Sequence, residues 1–215
     1  MALQELPENV ELNLGLLDRQ PSLLSGFTPT IYVHGEINQT MARHFIDALE
    51  TLVHERQVTT ALLDIASDGG EYFALATMLS AMMGAKLSLA TFASGHAFSA
   101  AAVLLSAGLP GARYISPFGA SMLHSMITAH SPLGVEEAAG ITKFEEQLNK
   151  NMMAFLARNC GMSLAKLRGA IRARGSRILW LLPEEAKALH LVDHVGIPTT
   201  TVEFQYGIEG VKAKA

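Results

Sequence analysis

The sequence predicts an α/β fold carrying a largely parallel sheet. Short β-rich runs stopped by glycine alternate with longer stretches of apolar residues at 3–4 spacing, and such alternation marks parallel strands joined by crossover helices. Of 215 residues, 49% are apolar and only 17% charged, against about 25% charged in an average soluble domain. That leaves enough apolar surface for one large core and for a subunit interface. One cysteine, Cys160, excludes an internal disulfide framework and a cysteine-based zinc site.

Taken in order, residues 1–28 are polar and punctuated by Pro7 and Pro21, an N-terminal arm. A single domain over 29–198 follows, then a tail, 199–215. Ile31–Gly35 is a strand by composition. Asn38 and Thr40 offer caps for a helix in which Met41, Phe45, Ala48, Leu49 and Leu52 share a face. Residues 59–65 form a second strand, broken by Ser67-Asp68-Gly69-Gly70. The stretch 72–84 is helical and ends at Gly84. A strand over 86–93 runs into Ser94-Gly95, and 97–107 is small and apolar enough for a buried helix. Short strands around 112–116 and 120–124 come next. The longest helix, 135–158, is interrupted by Gly140. A helix over 163–173, a strand Ile178–Leu182 and a short helix opened by Pro183-Glu184-Glu185 complete the chain.

The balance of 16 Lys+Arg against 20 Asp+Glu, net −4, argues against nucleic acid or an anionic membrane as the main partner. The N-terminus mixes acids among its apolar residues and does not read as a signal peptide. No stretch reads as a membrane span, residues 87–112 coming closest. A soluble cytoplasmic protein is the expectation. Six of the eight histidines, at 34, 44, 54, 130, 190 and 194, show no metal-ligand spacing with acids or cysteine, so no metal and no cofactor is expected.

Three features can carry chemistry. Asp68-Gly69-Gly70 follows a buried strand; it is either a plain turn or a place where a backbone N–H is left to hold an anionic oxygen. Ser99 opens an apolar helix, as an N-cap does. Yet that position also sets N–H groups and a positive dipole end beside a hydroxyl, which suits a nucleophile. It lacks the flanking glycines of the hydrolase nucleophile elbow, having Ala97 and Ala101 instead. His124 ends an apolar strand, as a core or surface residue or as the base that takes the Ser99 proton.

The residues alone leave these readings open, and a resemblance chooses among them. Gly70 precedes Ser99 by 29 residues, and His124 follows it by 25. The chain resembles the Clp peptidase family, self-compartmentalising serine proteases that work with ring-shaped unfoldases. Ile31–Gly35, Ser67, Arg113, Pro117, Pro132-Leu133-Gly134 and the ending Glu185-Ala186 to Leu191-Val192-Asp193 match it as well. The resemblance implies the Clp peptidase/crotonase fold of stacked strand-strand-helix turns, with 135–158 as a handle helix joining two rings. It implies Ser99 as nucleophile, His124 as base, and the N–H groups of Gly70 and Ala100 as an oxyanion hole. Peptides or unfolded proteins are the implied substrates, and the implied assembly is a homo-oligomer of stacked heptameric rings.

Two departures stand out. The family's third catalytic residue is an aspartate, and counting back from Leu191-Val192-Asp193 puts Ile178 in its place. Counting forward from Gly161 gives Arg174, and no Asp or Glu occurs between Glu146 and Glu184. Three readings follow: a slow Ser-His dyad oriented by a backbone carbonyl or Ser125, an acid borrowed from Asp68 or Glu71, or an inactive scaffold subunit. The second departure is the docking pocket for the AAA+ unfoldase, where the family's aromatics are replaced by Asp64 and Gly84 while Phe92 and Tyr114 keep bulk. A charged Asp64 argues against the usual ATPase partner. Two other enzyme classes meet obstacles. Crotonases hold an enolate oxygen with two N–H groups but need no serine in register with His124. A Ser-Lys peptidase needs a lysine near Ser99, and Lys86 is the only one before Lys143.

Overall fold

The computed structural model describes residues 29–55, 58–125, 135–173 and 178–198. The predicted arm and tail lie outside the described residues. Strand β1 (Thr30–Ile37) leads through Asn38 into helix α1 (Gln39–Glu50) and a π-helical turn at Thr51–Glu55. Asn38 Oδ1 accepts the Met41 N–H at 3.0 Å, the cap expected of it. Then come β2 (Thr60–Gly70), α2 (Tyr72–Gly84), β3 (Ser88–Phe98) and α3 (Ala100–Ser106). Two short strands, β4 (Arg113–Ile115) and β5 (Ala120–His124), precede α4 (Val135–Asn159) and α5 (Leu164–Ala173). The chain closes with β6 (Ile178–Leu181), α6 (Pro183–Ala188) and β7 (His194–Val195).

Among the described residues, all seven strands belong to one sheet in the order β1-β2-β3-β4-β7, with β5 branching from β3 and β6 from β5. Every pair is parallel except β5–β6. The branch exists because β3 is long: Thr91–Ala93 pairs with β4, and His96–Phe98 pairs with β5. The predicted break at Ser94-Gly95 is therefore absent, and β3 runs on to Phe98. The break at Ser67–Gly70 is absent too, because Gly69 and Gly70 still pair with Glu36 and Ile37.

Both extensions follow register shifts, between His34 and Glu36 on β1 and between Ile65 and Ser67 on β2. Such irregularities re-aim the strand that follows them. Gly140 does not interrupt α4, which is continuous over 25 residues.

Ile31, Val33, Ile37, Leu63, Ile65 and Ala93 put one sheet face into the core against Phe45, Leu49, Leu75 and Met78 of α1 and α2. Helix α3 is buried at all seven positions. A second anchor holds the sheet's far end. Arg113, 7% exposed, forms a bidentate pair with Asp193 (2.9 and 2.6 Å) and donates to the Asn159 carbonyl at 2.8 Å. Burial pushes the Asp193 carboxyl up. Hydrogen bonds and charge from Arg113, with the Gly111 N–H, outweigh that and hold it below the usual carboxylate range. Burial also pushes the Cys160 thiol up to about 11, the Arg113 charge opposing this only in part.

Candidate active site

Gly70 ends β2, Ser99 follows β3 and His124 ends β5. Both β2 and β5 are parallel neighbours of β3. Three carboxyl ends therefore converge, where open parallel sheets commonly hold their sites. His124 Nε2 lies 2.7 Å from Ser99 Oγ. No N-cap hydrogen bond from the Ser99 side chain is present, so the hydroxyl serves the imidazole and not the helix.

Ser99 itself is strained. Its backbone sits at φ 55°, ψ −117°, a region that costs a non-glycine residue about 1–3 kcal/mol. The sheet ladder and the helix hold it there. Ser99 N–H donates to the Met122 carbonyl at 2.8 Å, while the Ser99 carbonyl accepts from Ala102 and Val103. The turn thus has the sharp strand-to-helix geometry of a nucleophile elbow, although its flanking residues lack the elbow's glycines. The glycine that matters lies on the neighbouring strand. A Cβ on Gly69, whose φ is +96°, would lie 2.9 Å from Ser99 Cβ and 2.7 Å from the Phe98 carbonyl oxygen. One on Gly70 would strike the Ile37 carbonyl oxygen. Buried Ser67 steadies this approach by accepting the Gly69 N–H at 3.0 Å.

His124 Nδ1 lies 2.5 Å from the carbonyl oxygen of Ser125. A carbonyl only accepts, so Nδ1 carries the proton in the neutral ring, and Nε2 is the lone-pair nitrogen that receives the Ser99 O–H. Ala100 N–H opens α3 and has no intrahelical acceptor. Gly70, Ser99, Ala100 and His124 share the wall of one cavity of about 230 Å³. Its floor is apolar, with Leu75, Val103, Met152, Met153 and Leu156. The α4 contribution was not singled out from the sequence, although Asn149, Met152, Met153 and Leu156 fall at helical spacing. A larger concavity of about 820 Å³ lies between α1 and α2, lined by residues such as Leu49, Val53, Phe73 and Ala81. It contains neither Ser99 nor His124, so the chemistry marks the smaller cavity.

The family model described as Clp protease matches residues 23–199. The chain belongs to the Clp protease family. It is 30% identical over 177 residues to the ATP-dependent Clp protease proteolytic subunit 2 of Mycolicibacterium paratuberculosis, covering 80% of this chain and 84% of that protein. A second similar protein is the subunit 2 of Corynebacterium jeikeium, 33% identical over 158 residues (74% and 71%). Subunit 1 of Mycobacterium leprae is 31% identical over 170 residues (77% and 80%). These relatives support a serine protease of the Clp type, a peptidase among the hydrolases, and the α/β sheet described above agrees with the Clp fold.

Ile178 is the residue of β6 paired directly with His124 on β5. The two carboxylates considered as substitutes face other partners. Asp68 is 87% exposed, with Oδ1 3.3 Å from His96 Nε2. Glu71 Oε2 accepts from Gln39 Nε2 at 3.5 Å, and although Glu71 lines the cavity, the ring's Nδ1 is met by Ser125. In this structure each of the two side chains meets another residue, Asp68 meeting His96 and Glu71 meeting Gln39. Lys86 precedes β3 while Ser99 follows it, with the eleven residues of the strand between them, so Lys86 is out of reach of Ser99. Among the described residues, no helix is long and apolar enough to cross a membrane.

Proposed function

We propose that this chain hydrolyses peptide bonds through an acyl-enzyme on Ser99, with His124 as general base and no carboxylate partner. The observation that carries the reading is the 2.7 Å contact from Ser99 Oγ to His124 Nε2. As Oγ attacks the scissile carbonyl, Nε2 takes its proton; the imidazolium then delivers that proton to the leaving amine. Water, deprotonated by the same nitrogen, attacks the acyl-enzyme and releases the acid. The oxyanion of each tetrahedral intermediate is held by the N–H groups of Gly70 and Ala100, and losing one such donor typically costs about 3–4 kcal/mol of barrier. The Ser125 carbonyl fixes the tautomer. Being neutral, it stabilises the imidazolium less than an aspartate would, so the dyad works slowly.

The apolar cavity suits a side chain of an unfolded peptide. Assembly is part of the proposal: a homo-oligomer, stacked heptameric rings enclosing the sites in the cytoplasm, with α4 between rings. Relatives are named ATP-dependent proteolytic subunits. On the sheet's outer row, however, Tyr32, Asp64, Phe92, Tyr114 and His194 stand side by side. Asp64 Oδ1 there is buried without a hydrogen-bond partner, 3.5 Å from His34 Nε2. That distance is too long for a good hydrogen bond. A carboxylate in this row disfavours an all-apolar docking loop of an AAA+ unfoldase.

A second reading is an inactive scaffold subunit, favoured by the apolar Ile178 opposite His124. Intact mass after treatment with a fluorophosphonate separates the two. One adduct on the wild type and none on Ser99→Ala supports the dyad. An unlabelled wild type, assembled and folded, rejects it.

A further inference from the structure

We propose that Phe98, Met122 and Trp180 form the subsite for the residue that follows the cleaved bond, and that it selects a bulky apolar side chain there. This rests on the reading of Ser99 and His124 as nucleophile and base.

Register puts these side chains together. Phe98 on β3 pairs with Met122 on β5, and Met122 pairs with Trp180 on β6. Paired residues point to the same face of a sheet. The rings of Phe98 and Trp180 meet edge to face, with centroids 5.2 Å apart, and Trp180 remains 53% exposed. His96 extends the row, 4.9 Å from Phe98. His124 lies two residues beyond Met122 on the same strand, so its side chain shares that face. Leu123, between them, points the other way and lines the apolar cavity. The Ser99–His124 pair thus has an apolar cavity on one side and an exposed aromatic shelf on the other.

Chemistry says which part of the substrate uses the shelf. The imidazolium must give its proton to the leaving amine, which has to come within hydrogen-bond reach of Nε2. The chain beyond that nitrogen leaves Ser99 on the His124 side, over the face carrying Met122, Phe98 and Trp180. The cavity, walled by Gly70 and Ala100 on the oxyanion side, is left for the acyl part. An aromatic shelf beside the leaving nitrogen favours a large apolar side chain there, because only such a residue covers the exposed Trp180 surface.

Acyl transfer tests this without reference to protein substrates. A peptide methyl ester acylates Ser99 and releases methanol. Water or an added amine then attacks, breaking the acyl C–O bond; the attacking group's proton passes through His124 to Ser99 Oγ. Phenylalanine amide should intercept the acyl-enzyme better than glycine amide by about tenfold or more. Trp180→Ala and Phe98→Ala should bring the ratio of interception by phenylalanine amide to interception by glycine amide, measured within each variant, down toward one, and Trp180→Phe should keep it. An unchanged preference in both alanine variants overturns the shelf and leaves the dyad standing. Failure of the wild type to turn over the ester, or equal turnover by Ser99→Ala, overturns the reading of Ser99 and the shelf with it.

Discussion

Ile178 stands directly across the antiparallel β5–β6 ladder from His124. Directly opposed residues have Cβ atoms about 4.5–5.5 Å apart, which is the reach of a carboxylate to an imidazole. Ile178→Asp should therefore raise kcat/KM for peptide hydrolysis by about tenfold or more, part of the roughly 10⁴-fold that a triad acid contributes. Ile178→Asn, which adds an acceptor without charge, should gain less. Initial rates of the three proteins, with thermal melts to verify folding, decide the point; equal rates for all three reject the alignment of residue 178 with the family acid.

Replacing the strained serine separates strain from chemistry. Ser99→Ala and Ser99→Gly should both lose peptidase activity and fluorophosphonate labelling. They should differ in stability, because alanine keeps the penalty of φ 55° while glycine removes it. Urea melts should show Ser99→Gly more stable than Ser99→Ala by about 1 kcal/mol, the strain of about 1–3 kcal/mol being offset by glycine's extra unfolded-chain entropy. The reverse order would show that the elbow is not strained.

Much of this site is readable from residue spacing. Gly70, Ser99 and His124 lie at strand ends, and parallel pairing brings strand ends together without any special local signal. The absence of any Asp or Glu between Glu146 and Glu184 is equally plain. What the sequence hides is long-range pairing. Gly95 has open space around a would-be Cβ and no positive φ, so nothing about it demands a turn. The strand continues through it because β5 supplies a second partner at His96–Phe98. Strand β2 persists to Gly70 for the same reason, with β1 as partner. A two-residue strand such as β7 has no pattern to detect. The Ser125 carbonyl is present in any sequence, and only geometry shows that it meets the His124 ring.

Close approach to the serine turn makes Gly69 sensitive to any side chain. An added methyl would lie 2.9 Å from both Ser99 Cβ and the Ala100 nitrogen, at a φ of +96°. Gly69→Ala should destabilise the fold by about 2 kcal/mol or more and abolish labelling of Ser99 by moving the elbow. Gly95→Ala, with nothing within 4 Å, serves as the contrast and should stay within about 1 kcal/mol of wild type. Urea denaturation and labelling rates on both variants test this; a benign Gly69→Ala would contradict the packing of β2 against the serine turn.

The Arg113–Asp193 pair gives a prediction in pH. Asp193 titrates below its unfolded value of about 4. Its contribution is thus fully present above that value and is lost as pH falls through the lower folded one. Breaking a buried pair leaves the partner charge uncompensated, so Asp193→Asn should cost about 3 kcal/mol at pH 7. The gap between wild type and Asp193→Asn should narrow as pH drops below about 4, since the wild-type carboxyl then protonates as well. Urea melts at pH 7 and pH 3 measure both quantities. A gap that stays constant between them would show that the ion pair does not hold β4 to the C-terminal segment and the end of α4.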